Sequence, residues 1–241
     1  MSYIISTQIY RVLNMEDHLR QILTYVIEQT VNTGEPVGSQ YLVNEYKLSI
    51  SPATVRNYFA VLEREGFITQ PHTSSGRIPT EKGYQYYVQN ILKPRTLSKK
   101  ESSDVLRAAQ ISDIDDRQIK SLAKVISDLS QSAVIIGLNN SDSYYTGLSQ
   151  LFTQPEFKDW NRIVSMSDIL DRLDEVLDQI RNNYYENPTP LIGAECPFGP
   201  MCGSVMASIK GGYLIGILGP LRMDYGLSIS LLQKIKILLE Q

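Results

Sequence analysis

The sequence predicts an α+β fold in two parts: a winged helix-turn-helix domain, then a second mixed domain of strands and helices. Three observations carry that expectation. An amphipathic helix with a marked start and stop spans Ser51 to Gly66, and it passes directly into a hydroxyl-rich, hairpin-like segment that ends at Pro79. Two helical periodicities precede it. Beyond residue 104, β-branched runs and a Gly-Gly turn are interleaved with helical patterns, the order expected of an α+β domain.

Residues 1–14 read as an N-terminal extension, with Met15 a second candidate initiator, and the DNA-binding domain is assigned to residues 15–92. Leu19, Ile22, Leu23, Val26, Ile27 and Val31 recur at helical spacing, so a first helix runs from about Asp17 to Asn32 and stops before Gly34 and Pro36. Ser39 is expected to cap a short helix through Tyr41, Leu42 and Tyr46, and Lys47 to Ile50 form the turn into the third helix. There Ser51 is the expected N-cap, Pro52 suits the first helical position because its missing N–H has no partner to lose, and Gly66 closes the helix. Val55, Phe59 and Leu62 share the apolar stripe. The opposite side carries Ala53, Asn57, Ala60 and Arg64, flanked by Thr54 and Arg56. Asn can bridge adenine N6 and N7, Arg can bridge guanine O6 and N7, and Ala and Thr methyls can meet a thymine methyl. An ordinary amphipathic helix with a solvated outer face has the same pattern, and the preceding helix and turn favour the helix-turn-helix reading.

Phe67 to Gln70 and Arg77 to Pro79 can pair around the loop Pro71 to Gly76. Such a wing would lay Arg77, His72 and the Thr73, Ser74 and Ser75 hydroxyls on phosphates or in the minor groove, whereas a plain polar hairpin would leave them in solvent. A further helix from Thr80 to Leu92 has Tyr84, Tyr87, Val88, Ile91 and Leu92 on one face, and residues 93–104 read as a linker. Charge follows the same division. Residues 1–100 hold 11 Lys and Arg against 8 Asp and Glu, and residues 101–241 hold 12 against 18. Between 51 and 100 the count is 8 against 3, which localises a basic footprint in an otherwise acidic chain.

In residues 105–241, Ile119, Leu122, Ile126, Leu129 and Ala133 form a short a/d-like seam, suited to a coiled-coil contact or to packing on this domain's own sheet. Ala133 to Leu138 is a strand by its β-branched run, and Ile169, Leu173, Val176, Leu177 and Ile180 mark one helix. Ser204 to Ile209 and Tyr213 to Leu218 form a hairpin about Lys210-Gly-Gly212, followed by a helix from Tyr225 to Leu239.

Several runs carry a family resemblance: Gly34-Glu-Pro-Val-Gly-Ser39, Ser51-Pro-Ala-Thr-Val-Arg-Asn57, Leu62-Glu-Arg-Glu-Gly66, and Pro71 to Val88. With Gly219-Pro-Leu-Arg-Met-Asp-Tyr225 near the C-terminus, they resemble the heat-inducible transcription repressor HrcA family. The resemblance implies a winged-helix repressor of chaperone operons that binds an inverted-repeat operator in double-stranded DNA as a homodimer, is released on heat shock, and is helped by a chaperonin. It implies a GAF-like second domain, and a structural use for Gly219, Pro220, Arg222, Met223, Asp224 and Tyr225, with Arg222 and Asp224 expected as an ion pair. The family carries a dimerising insertion in that domain. Here only about 28 residues separate Leu138 from the next helix near Ser167, so a reduced GAF-like domain without the insertion is expected.

No run approaches the ~18 apolar residues of a membrane span, and Met1 to Leu13 lacks a signal-peptide core, so a cytoplasmic, nucleoid-associated protein is expected. No catalytic constellation is expected: His18 and His72 neighbour neither a nucleophile nor a second ligand. Cys196 and Cys202, with five residues between them, lack zinc-site spacing and read as free thiols, and no cofactor is expected. Two other functions fit parts of the pattern. A small-molecule-sensing regulator would need a polar-lined pocket in the GAF-like domain; a chaperonin-associated adaptor would not use the recognition helix.

Overall fold

The computed structural model describes residues 15–109, 115–138, 142–158, 160–181, 183 and 185–240, and the chain divides into two compact units between Ile91 and Leu92. Residues 1–14 lie outside the described residues.

The first unit is built from α1 (Asp17–Thr33), α2 (Ser39–Glu45), α3 (Pro52–Arg64), a two-stranded antiparallel hairpin of β1 (Ile68–Thr69) and β2 (Ile78–Pro79), and α4 (Glu81–Asn90). Ile22, Leu23, Val26 and Ile27 of α1, Leu42 of α2, and Val55, Phe59 and Leu62 of α3 are buried in the core of this unit, with α3 packed on both other helices. Helix α1 ends at Gly34, whose φ of 72° places it in the left-handed region that glycine adopts at little cost. Helix α2 departs from expectation at its start. Its N-cap is Gly38, with no side-chain cap, and Ser39 is the first helical residue. On α4 the buried face is Gly83, Tyr84 and Tyr86, not the expected Tyr84–Tyr87–Val88 face; Thr80 lies outside the helix as its cap.

The reversal from α3 into the wing is a Schellman turn. The Gly66 N–H donates to the Glu63 carbonyl (3.0 Å) and the Phe67 N–H to the Leu62 carbonyl (2.9 Å), with Gly66 at φ +78°. Thr80 then ties α4 to this turn: its hydroxyl donates to the Gly66 carbonyl (2.6 Å) and accepts from the Gly83 N–H (3.1 Å). A third strand-like segment joins the hairpin. Val37 and Arg77 exchange backbone hydrogen bonds of 2.8 and 2.9 Å. The chains approach so closely there that a Cβ on Gly76 would lie 2.4 Å from the Val37 carbonyl.

The second unit is a five-stranded antiparallel sheet in the order β4-β3-β7-β6-β5, with β3 (Ala133–Gly137), β4 (Ser143–Thr146), β5 (Thr189–Ile192), β6 (Cys202–Ile209) and β7 (Tyr213–Pro220). Helices α5 (Lys99–Ala109), α6 (Asp116–Ser130), α7 (Leu148–Phe152), α8 (Trp160–Asp171), α9 (Leu173–Arg181) and α10 (Tyr225–Glu240) accompany it. Every residue of β3 and β7 is buried, as central strands require when both faces are covered. Ala133, Ile135, Met206, Leu214 and Leu218 cluster with Leu151, Phe157, Met166, Leu173 and Leu177 from the α7–α9 side. The a/d-like residues Ile119, Leu122 and Ile126 are buried on α6, which packs on α5 and the sheet; Ala133 belongs to β3 and not to that seam. The expected linker is half helix, because α5 begins at Lys99. The single helix expected around Ile169 to Ile180 is two, α8 and α9, meeting at Arg172. The interval between Leu138 and Ser167 holds β4, α7, a 3-10 turn at Pro155–Lys158 and the start of α8, so the sheet is fuller than the three strands legible in sequence.

Gly76→Ala is expected to destabilise the first unit by about 1–3 kcal/mol through overpacking against the Val37 backbone, read as a lowered midpoint in urea. Tyr46, stacked on Tyr25 at 3.8 Å, has its phenol pushed up to about 12, first by burial and then by the Glu28 carboxylate. Because the folded state favours the neutral phenol, this contribution is complete below the ordinary tyrosine range near pH 10 and is lost as pH rises towards 12. In an alkaline titration, Tyr46→Phe should remove a phenolate absorbance step near pH 12 and leave the steps near pH 10.

Candidate nucleic-acid interface

Burying Val55, Phe59 and Leu62 fixes which side of α3 faces out. Ala53, Arg56, Asn57, Ala60 and Arg64 are exposed, and Thr54 is half-buried. The helix start is held as expected: the Ser51 hydroxyl accepts from the Thr54 N–H at 3.1 Å and lies 3.0 Å from the Thr54 hydroxyl. Arg56 is braced across the helix-turn-helix, its guanidinium donating to the Ser39 hydroxyl at 3.3 Å. Among the described residues Asn57 has no hydrogen-bond partner, which leaves its amide for an outside acceptor and donor. The Arg64 side chain is 73% exposed and rests 3.6 Å from Glu65.

The wing divides its expected residues into two groups. His72, Thr73 and Ser74 are exposed at the tip. Ser75 instead braces the loop internally, its hydroxyl accepting from the His72 N–H (3.0 Å) and donating to the His72 carbonyl (2.7 Å). Gln70 spans the loop from the other side by donating to the Thr73 and Ser75 carbonyls at 2.9 and 3.0 Å. Arg77 is also turned inward. It meets Glu63 of α3 through Nε at 3.1 Å and a terminal nitrogen at 3.0 Å, and its side chain is 19% exposed. This pair ties the wing to α3. The sequence carries no sign of these roles for Gln70 and Glu63, whose partners lie three to fourteen residues away, outside any helical or strand period.

The charge footprint is smaller than the count over residues 51–100 implied. Of those eight cations, Lys93, Arg95, Lys99 and Lys100 fall beyond Ile91, which leaves four against Glu63, Glu65 and Glu81. Arg77 is paired, and Lys82 donates to the Glu65 carbonyl at 2.7 Å and sits 4.5 Å over the Phe67 ring. Arg56 and Arg64 remain as the outward cations of α3.

In the second unit, the run Gly219 to Tyr225 is the turn from β7 into α10. Gly219 closes against Met223, Pro220 ends β7, and the Tyr225 hydroxyl donates to the Leu221 carbonyl at 3.0 Å. The expected Arg222–Asp224 pair gives way to two separate bonds. Arg222 forks onto Glu156 (2.5 and 3.2 Å) and reaches Gln154 (2.7 Å), whereas Asp224 accepts from the Leu227 N–H (2.8 Å) as a helix cap. Cys196 and Cys202 are buried free thiols; burial pushes both up, Cys202 to about 12. Among the described residues no three His, Cys, Asp or Glu side chains gather as a metal site, and no helix is long and apolar enough to cross a membrane. A cleft of about 350 Å³ beside α8 is lined chiefly by apolar groups, including Phe157, Met166, Ile169, Phe198 and Met201, with Asn161 and Ser165 as polar members.

Heat-inducible transcription repressor HrcA of Pelotomaculum thermopropionicum is 37% identical over 126 residues, 52% of this chain and 36% of that protein. HrcA of Kineococcus radiotolerans is 43% identical over 114 residues, 46% of this chain and 33% of that one. The chain thus spans about a third of the length of the curated relatives it matches. A hypothetical protein solved by crystallography shares the fold, with a TM-score of 0.72 at 16% identity over 93% of this chain and 96% of the other. The family model of the HrcA protein C-terminal domain matches residues 84–229, more than half of the chain's 241 residues, and the chain belongs to the HrcA family.

Proposed function

We propose that this chain is a sequence-specific transcriptional repressor that reads an inverted-repeat operator as a homodimer, with α3 in the major groove and the tip of the wing on the adjacent backbone or minor groove. The observation that carries the reading is the outward face of α3: small residues at Ala53 and Ala60 permit close approach, and Arg56 and Asn57 are exposed at the positions that would meet base edges. The bracing of Arg56 by Ser39 reduces the side-chain entropy lost on binding. The relatives' name, heat-inducible transcription repressor, supports repression that responds to heat; heat-shock operons as the target and a chaperonin as helper are what the family resemblance implies. A dimer of limited stability would supply the release, since separating the copies removes most operator affinity.

Arg56→Ala and Asn57→Ala are each expected to weaken binding to the operator by about 1–3 kcal/mol, roughly 5- to 150-fold in Kd, with little change on a scrambled duplex. Fluorescence anisotropy against both duplexes reads this, and unchanged operator affinity for both variants would remove α3 from the reading role. Arg64→Ala should act differently, weakening binding to all sequences alike and reducing the slope of log K against log salt by about 0.9 per copy. A salt titration of wild type and variant separates the two effects.

A further inference from the structure

We infer that the outer edge of β4 is the contact through which two copies of this chain join, by antiparallel pairing of β4 with β4 of the second copy into one continuous ten-stranded sheet. The inference rests on the two-copy operator reading and names the surface that reading leaves open. β4 is one edge of the five-stranded order, and among the described residues no other strand pairs with its outer side. The phase of the ladder fixes what that side offers. The Leu138 N–H donates to the Asp142 carbonyl at 2.8 Å, and the pairing continues as Gly137↔Ser143, Ile136↔Tyr144, Ile135↔Tyr145 and Val134↔Thr146. Antiparallel pairs alternate between bonded and non-bonded, so Asp142, Tyr144 and Thr146 turn their backbone groups to β3. Ser143 and Tyr145 therefore aim an N–H and a C=O each away from the sheet.

Among the described residues, the register centred on Tyr144 pairs the most of this edge with a second copy. With the two-fold axis at Tyr144, Ser143 of each copy faces Tyr145 of the other, and about four new backbone hydrogen bonds form. That register uses the strand from Asp142 to Thr146. One centred on Tyr145 would oppose Ser143 to Gly147, whose φ of +77° has already left the strand. Charge permits the contact, because Ser143-Tyr-Tyr-Thr146 carries no charge to repel its own copy and none of the Lys or Pro residues that protect edges. The opposite edge is protected: β5 carries Pro190, which has no N–H to give. The two tyrosines lie on opposite faces, Tyr144 towards α6 with Lys120 5.4 Å from its ring and Tyr145 outward at 44% exposure. A four-residue edge covers less than the ~1,200 Å² of a standard stable interface, so the pairing is weak in free protein and is completed when two half-sites hold the copies together.

Cysteine crosslinking tests the register. At a non-bonded pair the facing Cα atoms stand about 4.5 Å apart, within disulfide reach. Under mild oxidation, Tyr144→Cys should give a disulfide-linked dimer on a non-reducing gel faster than Trp160→Cys, whose side chain is 72% exposed but lies elsewhere; the native thiols are buried and silent. The reaction is run with an inverted-repeat duplex and, at high protein concentration, without DNA. A companion variant, Tyr145→Pro, removes an outward N–H without touching the β3 ladder; it should keep half-site binding and lose cooperativity on the inverted repeat. Crosslinking no faster than Trp160→Cys, or full cooperativity in Tyr145→Pro, overturns the edge pairing alone. Fast crosslinking in protein that binds neither duplex sustains the edge pairing and overturns the operator reading.

Discussion

Helix α3 ends at Arg64, and the chain must reverse within two residues to lay β1 beside it. That reversal, and the return strand that follows, are held by backbone approaches that leave no room for side chains. Gly66 makes the turn at φ +78°, Gly76 lies on the Val37 backbone, and a Cβ on Gly83 would fall 2.1 Å from the Phe67 carbonyl oxygen. Three glycines thereby decide where the wing stands relative to the recognition face. The polar bonds come second: Glu63 to Arg77, Gln70 across the loop, and Thr80 between Gly66 and Gly83 each lock a geometry that the close approaches already define. A partly exposed ion pair such as Glu63–Arg77 contributes on the order of 1 kcal/mol at most, so its value is in orientation.

The second unit depends on a different constraint, a sheet covered on both faces. β7 is buried along its whole length and is flanked by β3 and β6, so helices are needed on both sides. One side is supplied by α6 and α10, and the other by α7, α8 and α9. This is why the family run Gly219 to Tyr225 is structural: it carries the chain from the central strand into α10, and its arginine fastens the Gln154–Glu156 segment on the way.

What the sequence made legible follows from this physics. Helix α3 was readable because cap, stripe and stop all lie within sixteen residues, and the β6–β7 hairpin because Gly211 and Gly212 both take positive φ. Strands β4 and β5 were not, since Ser-Tyr-Tyr-Thr is too short and too exposed to show alternation and Thr-Pro-Leu-Ile contains the residue that demotes a strand. Helix α5 hides in a Lys- and Ser-rich stretch, yet its start carries a signal that was available. Ser98 and Glu101 form a capping box, with the Ser98 hydroxyl accepting from the Glu101 N–H (3.2 Å) and Glu101 from the Ser98 N–H (2.7 Å). The inward turn of Arg77 and the fork of Arg222 onto Glu156 had no such signal, because each partner comes from another element.

The small number of outward cations sets how the interface must work. On the proposed reading Arg64 is the phosphate-facing charge of α3 and Arg56 a base reader, so this helix would neutralise about one phosphate per copy, a salt slope of about −0.9 where six to ten contacts would give about −5 to −9. Electrostatic attraction at that level supports little non-specific binding. On that reading, affinity would come from base edges met by Asn57 and Arg56, from backbone N–H groups at the start of α3, and from doubling the surface across two half-sites. Doubling multiplies a weak reader only if the copies are coupled, and a coupling of a few backbone hydrogen bonds suffices once DNA has already brought the two together. A firmer dimer would bind more tightly and release less readily, so the proposed pairing through a short, uncharged edge strand would suit a repressor whose occupancy is reversible.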